Sequence, residues 1–135
     1  MYDHILIPIA FDEDRPADTA LTVAAALGAE GGRVTLLHVM EEMPVYAISY
    51  MDKEYLSNLR EGLQGELNRL AEEFENGTGV LIDGHPARTI LDWANAHGVD
   101  CIVMRSHKPG IADYLLGSTA AHVARQAAVS VHLLR

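Results

Sequence analysis

A doubly wound α/β fold, with a parallel sheet covered by helices on both faces, is the architecture this sequence predicts. Two observations carry that expectation. Short apolar runs rich in branched residues alternate along the chain with segments of helical periodicity. The runs are also nearly continuous rather than alternating in polarity, as strands buried on both faces must be. The length agrees: 135 residues suit one domain with a substantial core, so residues 1–135 are expected to form a single domain.

"HILIPI" at 4–9 is the first strand, and "AFDEDRPAD" ends it, because its acids and Pro16 stop a strand and start a helix. In "TALTVAAALG" the residues Ala20, Leu21, Ala24 and Leu27 recur at helical spacing, and Gly28 with the following "EGG" supplies an exit. "RVTLLHVM" at 33–40 is the second strand. The segment 41–51, "EEMPVYAISYM", has no clear period and contains Pro44, which predicts a long loop. From Asp52 onward Leu56, Leu59, Leu63, Leu67, Leu70 and Phe74 stand three or four apart, an amphipathic helix reaching Glu75. Gly62 and Gly65 lower its helix propensity, a cost that packing must offset. "GVLID" at 79–83 is a third strand. "PARTILDWANAHG" is a helix with Pro86 in its first turn, and "DCIVMR" is a fourth strand. "STAAHVARQAA" places Ala120, Val123, Ala124 and Ala127 on one helical face, and "SVHLLR" closes the chain as a fifth strand.

Composition removes several functions. The formal charge of −9, from 19 acidic against 10 basic side chains, opposes a broad polyanion-binding surface, so no nucleic-acid partner is expected. A small nucleotide is compatible with that charge, because a few amides and hydroxyls bind phosphate locally. No apolar run approaches the length that spans a bilayer, and no basic segment followed by a long apolar stretch opens the chain. The single Cys101, inside "DCIVM", has no partner for an internal disulfide, which fits a reducing compartment. A cytoplasmic protein without membrane contact is the expectation.

In a doubly wound sheet the ligand crevice lies beyond the carboxyl ends of the strands, where strand order reverses. If strands one and four flank that point, Pro8 to Asp12 and Met104 to Gly110 come together, with the last helix starting nearby. "MRSHKPGIADYLLGSTAAHVARQ", Met104 to Gln126, then forms half of a pocket. Gly117 permits close backbone approach, and Ser118 and Thr119 offer hydroxyls and amides at a helix start, an arrangement suited to an anion. Ordinary N-capping by Ser118 is the competing explanation. The stretch lacks the Lys of a P-loop, which excludes a Walker-type NTPase; Lys108 reaches toward a phosphate from the loop or is simply solvated. Asp12, Glu13 and Asp14 either hold Mg²⁺ or a ribose hydroxyl, or favour the positive end of the first helix. Seven histidines invite a metal site, yet no HExxH pair occurs, and His4, His38 and His132 stand singly in strands, which favours structural or solvent-facing roles. Ser106 beside His107 lacks the third group that would orient a catalytic ring. Trp93, in helical phase with Ile90, Ala94 and His97, reads as a packing residue.

Taken together, "ILIPIA", "VTLLHV", "GHPARTILDWANAHGVDCIVM" and "YLLGSTAAHVARQAAVSVHLLR" resemble the universal stress proteins over essentially the full length. "SHKPGIADYLLGS" is most similar to the F/G type of bacterial member. The resemblance implies a flavodoxin-like, adenine nucleotide α-hydrolase-like sheet in the order 3-2-1-4-5, which places strands one and four at the reversal. It implies ATP, or its relatives ADP and AMP, as ligand, with Mg²⁺ as a companion ion and at most slow hydrolysis. Val39 would meet adenine through its backbone, Pro8 and Ile9 would line the site, and Met104, Arg105, Gly117, Ser118 and Thr119 would contact sugar and phosphates.

Two departures qualify this. ATP-binding members carry Gly-x-x-Gly, a nine-residue spacer and Gly-Ser/Thr, whereas Arg105 and Lys108 stand at the two glycine positions here and the spacer is one residue shorter. Members also carry an acid where this chain has Ala10, leaving Asp12 as its substitute. These departures favour an alternative role as a dimeric interaction scaffold that has lost nucleotide binding. An enzyme of the wider α-hydrolase group would need an SGGxDS-type loop, absent from "IAFDEDR". The family pairs the last strands of two subunits, which implies a homodimer through Val131 and Leu133.

Overall fold

The computed structural model describes residues 1–11, 17–50, 52–106 and 116–135. Its elements run β1 (Tyr2–Pro8), α1 (Asp18–Leu27), β2 (Gly28–Met40), α2 (Val45–Ile48), α3 (Lys53–Ala71), β3 (Gly77–Asp83), α4 (Pro86–Ala96), β4 (Cys101–Arg105), α5 (Ser118–Gln126) and β5 (Ser130–Leu134). The five strands form one sheet in the order β3-β2-β1-β4-β5, every neighbouring pair parallel.

The continuous apolar runs are explained by two cores. Ile5 and Ile7 of β1 pack with Leu36, Val103, Leu21 and Ala24 of α1, and Leu67 and Leu70 of α3 on one face. Leu6, between them, packs with Leu37, Ile102, Ala87 and Ile90 of α4, and Ala120 and Val123 of α5 on the other. Ile5, Leu6 and Ile7 are all fully buried, so no position in the middle of β1 tolerates a polar side chain without a partner.

Three boundaries differ from the sequence expectation. Gly28 ends α1 as the sequence predicts, but it is extended (φ −72°, ψ 143°) and already paired with Tyr2, so β2 begins there and not at position 33. The turn falls in a register irregularity between Tyr2 and His4, where Gly31 takes φ +77°. The long amphipathic helix stops at Ala71 and β3 begins at Gly77, because the chain folds back tightly: a Cβ on Gly77 would lie 2.1 Å from the Ala71 carbonyl oxygen. Phe74, beyond the helix, still packs on the core. The expected loop at 41–51 contains the one-turn α2, around which Val45, Tyr46 and Tyr50 are exposed.

A polar cluster seals the amino ends of the strands. The Asp100 carboxylate accepts the backbone N–H groups of Asp3 (2.9 Å) and His4 (3.0 Å), and the Asp100 amide donates to the His4 carbonyl (3.0 Å). The His4 ring is buried, with Nδ1 3.0 Å from the His97 carbonyl oxygen and Nε2 2.8 Å from Thr35 Oγ1. A carbonyl only accepts, so Nδ1 carries the proton and, in the neutral ring, Nε2 accepts from the Thr35 hydroxyl. Burial pushes the His4 pKa down, against the opposing hydrogen bond to His97, which keeps the ring neutral. Trp93 meets His4 edge-on at 5.8 Å and stacks on His97 at 3.8 Å.

Candidate functional site

The chain leaves β1 toward the face covered by α1 and leaves β4 toward the face covered by α5. Strand order therefore reverses between these adjacent strands, the point beyond whose carboxyl ends a doubly wound sheet holds its ligand crevice. Pro8 closes β1 opposite Leu37, and the Ile9 amide donates to the Leu37 carbonyl at 2.8 Å. Ile9 packs on the α1-side core and Ala10 is exposed. Val39, two residues beyond Leu37, packs toward α4 and α5. These four residues stand on the β1–β2 side of the reversal.

On the β4 side, Met104 is buried in the α4–α5 core, so its side chain is committed to packing and only its backbone reaches the rim. Arg105 ends β4, half-buried and in register with Leu134. The start of α5 is bound back to this strand end: the Gly117 amide donates to the Ser106 carbonyl at 2.7 Å, and the Ser106 amide donates to Leu134 at 2.7 Å.

That connection determines what the helix start offers. Gly117 occupies the N-cap position with φ −62° and ψ 157°, and no side-chain capping bond closes the helix. The first helical bond runs from Ala121 to the Gly117 carbonyl at 2.9 Å, so the amides of Ser118, Thr119 and Ala120 precede the helical ladder. Ser118, the first helical residue, is exposed and does not cap. Partial positive charge of the helix end, early amides and hydroxyls together suit a phosphate-sized anion.

The structure thus brings Pro8, Ile9, Ala10 and Val39 to one side of the reversal and Met104, Arg105, Gly117, Ser118 and Thr119 to the other. Asp12 and Lys108, with Glu13, Asp14 and His107, lie outside the described residues. Among the described residues no group of three or more His, Cys, Asp or Glu side chains is placed to hold a metal ion. By its sequence context His38 is only one of the solitary strand histidines. In the structure its Nδ1 lies 2.7 Å from the Ile9 carbonyl oxygen, and Phe11 meets its ring edge-on at 4.8 Å. The signal was a lone polar ring two residues before the end of an apolar run.

The family model described as Universal stress protein family matches residues 1–135. Universal stress protein G of Salmonella typhimurium is 25% identical over 142 residues, covering all of both chains. The solved structure of hypothetical protein MJ0577 superposes with a TM-score of 0.79 at 30% identity, over 99% of this chain and 96% of that one. The universal stress protein of Archaeoglobus fulgidus, solved in complex with dAMP, superposes with a TM-score of 0.65 at 21% identity, over 99% and 98%.

Proposed function

The chain belongs to the universal stress protein family, and on that premise we propose that it binds an adenine nucleotide, ATP or its relatives ADP and AMP, as a cytoplasmic regulatory module in stress response. One observation carries this reading: the α5 start is uncapped, bound back to β4 through Ser106, and sits at the strand reversal. The dAMP complex of the Archaeoglobus fulgidus protein supports the choice of an adenine nucleotide at the level of the shared fold. In this reading Val39 presents backbone to the base, Pro8, Ile9 and Ala10 line the base and sugar, and Met104 contributes backbone only. Arg105, Ser118 and Thr119 meet the phosphates beside Gly117, whose own amide is engaged by Ser106. Asp12 and Lys108 belong to the same assignment.

Helix-start amides and hydroxyls fit a phosphate, whereas a protein-held Mg²⁺ needs carboxylate or carbonyl oxygens. None of the nine described residues assigned to the crevice is acidic, so in this reading Asp12 is the one assigned carboxylate that would join the nucleotide's phosphates in holding Mg²⁺. Residues 1–135 act as one binding unit without an efficient catalytic centre. The buried lone thiol of Cys101 agrees with a reducing cytoplasm. A homodimer through the open edge of β5, with Val131 and Leu133 packing beneath α5, completes the reading.

Calorimetry of the purified protein with ATP, ADP and AMP tests it, with Ser118→Ala and Gly117→Val expected to weaken binding. No binding at millimolar nucleotide would reject it in favour of a dimeric scaffold, which the uncharged Ala10 at the crevice favours. Val131→Asp, checked for folding by circular dichroism, is expected to give monomers; light scattering that still reports dimers would reject pairing through β5.

A further inference from the structure

We infer that His38 is a positioning residue of this crevice: by holding the Ile9 carbonyl it fixes the path of the chain out of β1, and with it the side of the site formed by Ile9 and Ala10. The inference rests on the nucleotide-binding reading for its functional meaning, but its geometry is independent of any ligand.

The need for such a device begins at Pro8. Proline has no N–H, so β1 loses a ladder donor at its last residue, just where the chain must be directed into the crevice. The next residue is then gripped from both sides by consecutive residues of β2. The Ile9 amide donates to the Leu37 carbonyl at 2.8 Å, and the Ile9 carbonyl accepts from His38 Nδ1–H at 2.7 Å. Because that partner can only accept, Nδ1 must carry the proton. Phe11 closes edge-on over the ring at 4.8 Å with planes 69° apart, so the imidazole is boxed between the backbone it holds and the side chain two residues further on. Ile9 and Phe11 both pack on the α1-side core, and Ala10 between them is exposed. A side chain of β2 thereby continues strand pairing past the end of β1 and sets where residue 10 points. Sites need supporting contacts of this kind to hold their geometry to within about half an ångström.

His38→Leu removes the donor while keeping an apolar side chain, and His38→Asn restores an N–H near the position of Nδ1. His38→Leu is expected to weaken adenine-nucleotide binding about tenfold, the scale of one lost hydrogen bond, and His38→Asn to recover it to within about threefold. Leu36→Val, a core change in the same strand, controls for stability and is expected to leave affinity unchanged. In ¹⁵N-labelled protein without ligand, the amide signals of Ala10 and Phe11 should shift in His38→Leu and return in His38→Asn. Unchanged affinity in His38→Leu, no recovery in His38→Asn, or an equal loss in Leu36→Val would overturn the inference. Should the native protein bind no nucleotide, the functional reading falls separately and the amide signals decide the positioning role alone; their failure to move would overturn it.

Discussion

The two ends of the sheet are built on opposite plans. At the amino ends, side chains do the joining: Asp100 receives two backbone amides, and the His4 ring is held by Thr35 on one side and His97 on the other, with Trp93 against its edge. Among the described residues at the carboxyl ends of β1 and β4, backbone bonds run from Ile9 to Leu37, Gly117 to Ser106 and Ser106 to Leu134, with His38 adding a side-chain bond to Ile9. Ala10 and Ser118 are left exposed there. The difference shows a division of labour. One end spends its polar groups on one another and fixes the strands, while at the other the amides of Ser118, Thr119 and Ala120 precede the helical ladder, the donors that the proposed nucleotide would use.

The largest break in that contrast should come from Thr35→Val. The shapes are nearly equal, but the buried His4 Nε2 loses its donor, a loss of about 1–3 kcal/mol. Urea unfolding should register it while nucleotide affinity stays put; a parallel fall in affinity would mean that the ends are not separable.

Acid should act at the same end. The folded pKa of His4 is depressed by burial below its ordinary 6.5, so the unfolded chain takes up the proton first. Its contribution is complete above pH 6.5 and declines as pH falls below that value toward the folded pKa. Burial alone would raise the Asp100 carboxyl, but the amides of Asp3 and His4 outweigh it and hold the pKa below its ordinary 3.8. Its contribution is present above that value and lost as pH falls through the folded pKa. Denaturation midpoints from pH 8 downward should therefore decline in two stages, and His4→Gln should flatten the first.

At the opposite end, Ser118→Ala should weaken nucleotide binding by several-fold, about 1 kcal/mol, and shift stability by less than about 0.5 kcal/mol. The smallest effect belongs to neither end. Gly62 is exposed in α3 and an added Cβ meets nothing within 4 Å. Gly62→Ala should raise thermal stability by about 0.5–1 kcal/mol without touching binding.

Most of the fold was legible because its signals are local. Branched runs such as "ILI" and "CIVM" mark strands buried on both faces, and leucines three and four apart mark α3. The start of β2 was hidden because Gly28, the exit from α1, is also the first residue of the strand, and the positive-φ turn lies further on at Gly31. The helix start at Gly117–Ser118 was legible for the same local reason. The amino-end cluster was not: it joins His4 to Thr35, 31 positions away, and His4 to Asp100, 96 away, pairings that no periodicity announces. His38 and Ile9, 29 apart, were hidden in the same way.

The place of Trp93 has an optical consequence. The only indole of the chain lies flat on His97, 3.8 Å away, at the closed end of the sheet. Its emission is therefore a gauge of that end: opening the cluster should release it to water and redden it. Nucleotide entering at the far end should leave the spectrum nearly unchanged, so a fluorescence titration would look silent even as calorimetry recorded heat.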